Sequence, residues 1–232
     1  SKYSILIKRK NLIESVLSGV LFHGLYLGGV FYSISIGMPT SIAALIVTLQ
    51  PILTNILSGP ILNEKVTLKQ WIGVLLGFLG ATLVLGLDLG SKIPLLGLVA
   101  TLIALISITA STIWQKKLSN NLPLSVSNFY QAVGGCFFHI LVVIFFAKPY
   151  IAFTKTFLLS MGHQIFLVSF GAFTILMFLI KKNSASKTVS IFFLIPATSA
   201  LMAWFFLGET LTVIDLLGFL ITSIGVYIAT RD

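Results

Sequence analysis

Pro51 and Pro196 stand 145 positions apart, each near the middle of a long apolar run and each beside polar side chains. Gln50, Thr54 and Asn55 flank the first; Thr198 and Ser199 follow the second within one helical turn. A proline inside a helix cannot donate to the carbonyl four residues back, and its ring crowds the preceding turn. Each place therefore pairs a bare carbonyl with amides and hydroxyls, a combination suited to reversible binding and not to making or breaking bonds. It reads as a cavity wall or hinge, with a plain structural kink as the alternative. Polar groups inside an apolar run need partners, so these side chains point inward, either to a ligand or to a neighbouring helix.

His23, Tyr26, Tyr130 and Gln131 complete the cavity candidates. His23 and His139 lie deep in their runs, where a histidine is either functional or, more simply, a satisfied structural side chain. Trp114 and Trp204 sit nearer the ends and read as interfacial anchors. Glu64 and Glu209 are each followed three residues later by Thr, just before another apolar run, and read as carboxylates satisfying free N–H groups at that helix start. Glu14, Asp88 and Asp215 are also near run ends, so no Asp, Glu, Lys or Arg lies deep in any run. Catalysis would need a nucleophile with its base, paired carboxylates or a metal triad at depth, and none is visible. No catalytic residue, no metal and no cofactor are expected, and the single Cys136 offers no disulfide.

The elements that carry these residues follow from composition. The chain of 232 residues is 57% hydrophobic and 9% charged, with a mean hydropathy of +1.06, against about a quarter charged residues in soluble domains. An all-α integral membrane protein is the only reading, because lipid-embedded backbone must bond within its own segment. Eight apolar runs of spanning length cover 13–36, 41–62, 70–87, 94–115, 124–146, 160–180, 188–208 and 211–230. The net charge of +9 would suit nucleic acid if it were clustered, but the cations lie in the connections, so no nucleic-acid partner is expected. Twelve cations fall on the side of the N-terminus: Lys2, Lys8, Arg9, Lys10, Lys65, Lys69, Lys116, Lys117, Lys181, Lys182, Lys187 and Arg231. Three fall on the other, Lys92, Lys148 and Lys155, which places both termini in the cytoplasm.

The offset of 145 recurs in Glu64 and Glu209, Thr67 and Thr212, Gly73 and Gly218, and Gly80 and Gly225. It maps the second and third runs onto the seventh and eighth, five crossings later, and an odd number of crossings inverts direction. Inverted repeats are a recurrent construction of secondary transporters, with the substrate between the halves. The division expected is an incomplete first repeat of three helices over 1–90 and a second of five over 91–232, so that two helices of a 5 + 5 plan would precede Ser1. Gly73, Gly77, Gly80, Gly218 and Gly225 form small-residue stripes for close helix packing, with a homodimer contact as a further use.

The stretch Phe31 to Leu85, FYSISIGMPTSIAALIVTLQPILTNILSGPILNEKVTLKQWIGVLLGFLGATLVL, and its counterpart Thr188 to Thr230, with FFLGETLTVIDLLGFLITSIGVYIAT, resemble the EamA-type drug/metabolite transporter superfamily. Leu95 to Leu118, ending in STIWQKKL, resembles the first helix of that family's second repeat. The resemblance implies a ten-helix secondary transporter of two five-helix inverted repeats in a bacterial plasma (inner) membrane, often exporting amino acids, nucleotide-related metabolites or drug-like compounds; the neutral, amide- and aromatic-containing interior suits an amino acid, a nucleoside-like metabolite or an amphipathic drug, exported or exchanged by alternating access. Lacking an intramembrane carboxylate, the visible runs favour exchange or facilitated diffusion over a proton pump. The alternatives are a transport-incompetent truncated membrane partner and, less favoured, an intramembrane enzyme.

Overall fold

The computed structural model describes residues 7–86, 92–146, 150–208 and 210–231. Helix is the only regular structure among them, and eight helical segments are long and apolar enough to cross a bilayer: α1 Arg9–Ser35, α2 Thr40–Leu62, α3 Leu68–Leu85, α4 Leu95–Ser119, α5 Leu124–Phe146, α6 Lys155–Lys182, α7 Ala185–Phe206 and α8 Val213–Thr230. The protein is a multi-pass integral membrane bundle. Both described ends lie at one face, called here the terminal end. The expected spans are present but start earlier at α1, α6 and α7 and run on to Ser119 in α4, because helices extend past the hydrocarbon into polar turns that a hydropathy reading trims.

The starts and stops follow local chemistry. Thr67 and Gln70 form a capping box on α3, Thr67 N donating to Gln70 Oε1 at 2.7 Å and Gln70 N to Thr67 Oγ1 at 3.3 Å. At the same offset, Thr212 and Asp215 form one on α8, with distances of 2.8 and 3.2 Å. Just ahead, α2 and α7 each end in a left-handed residue, Asn63 with φ 57° and Gly208 with φ 71°. The motif shared by the two segments is thus a helix stop, a carboxylate position and a threonine-capped start. Glu209 lies outside the described residues.

α3 and α8 make the most extensive helix pairing, and glycine is what permits it. A Cβ on Gly73 would lie 2.4 Å from Ala229 N and 2.6 Å from Gly225 O; one on Gly80 would lie 2.5 Å from Thr222 N and 2.7 Å from Gly218 O. These contacts exchange under the 145 offset, since Gly73 maps to Gly218 and Gly80 to Gly225. The glycines expected to pack helices therefore join the two related segments within one chain. α7 closes over them: Phe193, fully buried, sits where a Cβ on Gly77 would be 2.6 Å from its ring, among Val74, Ala81, Val226 and Ala229.

α4 is the most enclosed span. Its threonine hydroxyls are satisfied within the helix, Thr101 donating to Gly97 O at 2.8 Å, Thr109 to Leu105 O at 2.8 Å and Thr112 to Ile108 O at 2.9 Å, while Ser111 donates to Ser18 O of α1 at 3.0 Å. α1 packs on α4 and α5, Gly19 lying against the Gln131 backbone and Gly134 against Val16 O. α1 widens into a π-helix over Val20–Leu27 and α6 over His163–Ala172, and positions 20–27 map to 165–172.

Gly80→Leu forces two backbones apart and is expected to lower stability by at least about 3 kcal/mol, the upper end of ordinary overpacking. Gly162→Ala in α6, with nothing within 4 Å of the added Cβ, leaves it unchanged or slightly raised. Thermal unfolding in detergent checks both.

Candidate functional site

Pro51 and Pro196 do interrupt their helices, and at equivalent places. α2 stops at Val47 and resumes at Gln50, leaving a turn at Thr48 and Leu49. α7 passes through a 3-10 segment, Ile191–Phe193, before resuming at Leu194. Pro51 has no N–H for the carbonyl of Val47, and Pro196 none for that of Phe192.

Both interruptions border one cavity of about 770 Å³, inside the roughly 300–1,000 Å³ usual for small-molecule sites. Its walls carry three offset-related pairs, Val47 with Phe192, Gln50 with Ile195 and Pro51 with Pro196. The cavity runs from the end away from the termini, where Ile34, Thr40, Leu85 and Ala203 line it, to a floor near Gln50 and Ile108. Phe22 and Tyr26, projecting from the π-helical stretch of α1, form one side, their rings edge to face at 5.6 Å. Polar atoms come from Tyr26, Thr40, Ser41, Thr48, Gln50 and Ser199, and no described lining residue is charged. Gln50 is 1% exposed and donates through Nε2 to Thr112 Oγ1 at 3.0 Å, which fixes the amide at the floor. Thr48 donates to Ala44 O at 2.7 Å.

Of the expected cavity residues, Tyr26, Gln50, Pro51, Pro196 and Ser199 are therefore together in the cavity wall. The others are elsewhere, each for a packing reason. Thr54 and Asn55 are one turn further along α2, buried against the first turn of α7, where Asn55 Oδ1 accepts from Ser186 Oγ. Thr198 is rotated away from the cavity onto the exposed face of α7 and donates to Leu194 O at 2.9 Å. His23 packs at a tilt against Phe173, centroids 5.0 Å apart, and its carbonyl accepts from His139 Nε2 at 2.9 Å. Tyr130 packs edge-on to Phe129. Gln131, fully buried, donates to Gln115 Oε1 and, at 3.0 Å, to Ser127 Oγ, tying α5 to α4.

Glu64 is also a correction. Its carboxylate does not serve the helix that follows it, which Thr67 and Gln70 already cap. It reaches α7 instead, accepting from Ala185 N at 2.8 Å and Ser186 N at 3.4 Å. Sequence reasoning missed Phe22, Thr40, Ser41, Thr48 and Ile108; only the Thr40-Ser41 pair, directly after Pro39, carried a local signal.

Gln131→Met leaves Gln115 with less of its hydrogen-bonding capacity met at a buried helix contact. It is expected to lower stability by about 1–2 kcal/mol without altering the order of solute affinities, as thermal unfolding and solute-induced stabilisation would read.

The EamA-like transporter family matches residues 2–86 and 95–231. An uncharacterized transporter, YvbV, of Bacillus subtilis (strain 168) is 28% identical over 226 residues, covering 92% of this chain and 69% of its own length. A probable amino-acid metabolite efflux pump of Salmonella typhimurium is 25% identical over 209 residues, covering 85% of this chain and 70% of the pump. One solved crystal structure shares the fold with a TM-score of 0.80 at 14% identity, over 97% of this chain and 77% of that one. Apolar spans, paired interruptions and a cavity between related segments fit that match, and the chain belongs to the EamA-like transporter family, a membrane transporter of the drug/metabolite kind.

Proposed function

We propose that the chain carries a small neutral or zwitterionic solute, an amino acid, a nucleoside-like metabolite or an amphipathic drug, through the 770 Å³ cavity. The observation that carries this reading is the cavity wall itself, in which the two prolines meet from α2 and α7 beside the Gln50 amide and the Ser199 hydroxyl. Uncharged walls favour such solutes over multiply charged anions, which would be desolvated without a counter-charge. Aromatic and aliphatic lining around a few hydroxyls and one fixed amide is the composition of a site that holds a mixed polar and apolar molecule.

Alternating access supplies the mechanism. The cavity opens toward the end away from the termini, and the excess of cations at the terminal end supports reading that open end as the outer side of a bacterial plasma membrane. The interruptions at Thr48–Leu49 and Ile191–Phe193 divide α2 and α7 into a cavity half and a packed half and are the places where each helix can bend. No described lining residue is a carboxylate, which supports exchange or facilitated export over proton-driven pumping.

Purified protein in proteoliposomes, loaded with a panel of neutral amino acids, nucleosides and aromatic amphiphiles, tests the reading by counterflow. At least one solute is expected to exchange. Ala44→Trp, which fills the cavity from α2, is expected to reduce that exchange at least about tenfold, equivalent to about 1.4 kcal/mol. Exchange unaffected by Ala44→Trp, or none across the whole panel, refutes the proposal.

A further inference from the structure

At the terminal end, the turn between α6 and α7 is held by two oppositely charged side chains that do not touch each other. Glu64, just past the end of α2, accepts from the first N–H groups of α7, Ala185 at 2.8 Å and Ser186 at 3.4 Å. Lys116, near the end of α4, donates through Nζ to the last carbonyls of α6, Ile180 at 2.9 Å and Lys181 at 3.4 Å, and to Asn183 O in the turn at 2.5 Å. An anion thus meets a helix N-terminus and a cation a helix C-terminus, the arrangement that helix dipoles favour. Neither charge has a salt-bridge partner among the described residues.

The turn so held is the lid of the packed half of the bundle. Ala185, Ser186, Thr188, Val189 and Ser190 are all buried, and Asn55 accepts from Ser186 Oγ one level further in. The cavity lining stops at Gln50, Ile108 and Phe192. Between that floor and the terminal end, the α2–α7 seam is closed by these polar contacts. A path to the terminal face must therefore part α2 from the start of α7, and the 3-10 segment at Ile191–Phe193 lies directly above the part that would move.

We propose that Glu64 and Lys116 form the latch of the inner gate: together they pin the α6–α7 turn while the cavity faces the opposite side, and their release is the step that opens the terminal face. The meaning of the latch rests on the transporter reading, but its test does not. The contacts exist without solute, and replacing either residue removes a hydrogen-bonding group from the closed state alone. Glu64 and Lys116 act as positioning residues, since neither touches the cavity.

The test places spin labels at Lys65→Cys and Lys182→Cys, both exposed, in a Cys136→Ala background, and measures their distance by pulsed electron resonance in lipid nanodiscs without solute. Glu64→Ala and Lys116→Met are each expected to raise a longer-distance component at least about fivefold, the lower range of conformational coupling. Glu64→Gln, which keeps one acceptor oxygen, falls between Glu64→Ala and the parent. Thr67→Val, which breaks the neighbouring capping box and not the latch, leaves the distribution as in the parent. Distributions for Glu64→Ala and Lys116→Met that match the parent overturn the latch, as does an equal shift with Thr67→Val, which would mark general loosening. If Glu64→Ala does not fold, Glu64→Gln and Lys116→Met decide alone. Absence of solute exchange would count against the proposed function and leave this measurement intact.

Discussion

Backbone against backbone at α3 and α8 is the contact on which the other elements depend. In lipid there is little hydrophobic force between helices, so association relies on close packing of small residues and on hydrogen bonds. Gly73 and Gly80 on one helix and Gly218 and Gly225 on the other bring the main chains so near that a single added Cβ would overlap them. Because the contacts exchange under the same offset that relates the sequences, this pair also sets how the related segments face each other. Phe193 seats α7 on Gly77, and α7 in turn supplies one wall of the cavity.

Given that frame, the prolines have a structural task as well as a binding one. Each removes a backbone hydrogen bond inside the membrane, a loss tolerated only where the freed carbonyl meets a cavity or another helix. Val47 and Phe192, each one turn before its proline, both line the cavity, and the Phe192 carbonyl is taken up by the 3-10 turn instead. The interruption and the site are thus one feature, and the hydroxyls and the Gln50 amide gather where the regular α-helical bonding is broken.

The polar residues divide by depth into two groups with different work. Tyr26, Thr40, Ser41, Thr48 and Ser199, on the cavity side of Gln50, line open space. Those on the terminal side, Asn55, Glu64, Lys116, Gln115 and Gln131, bond across helices. The division gives the bundle a soft half and a fastened half, and the fastening is made of hydrogen bonds that water can replace, which suits a contact meant to open.

The amino-acid sequence by itself determined the eight apolar spans, the helix class and the kinship of α2–α3 with α7–α8, because membrane thickness and backbone satisfaction leave one solution and because glycine, proline and cap positions tolerate few substitutes. α1 and α6 carry π-helical stretches at matching positions, Val20–Leu27 and His163–Ala172, which no spacing of residue types announced. Spacing alone could not separate Tyr26 from His23, or Ser199 from Thr198, because periodicity says which residues share a face and not what that face meets. A π turn also shifts the register on which such a reading depends. Glu64 is the clearest case. Its place at a helix end was legible, but its partner stands 121 positions away, and only the packing of α7 beside α2 decided that the carboxylate fastens the two together instead of capping its neighbour.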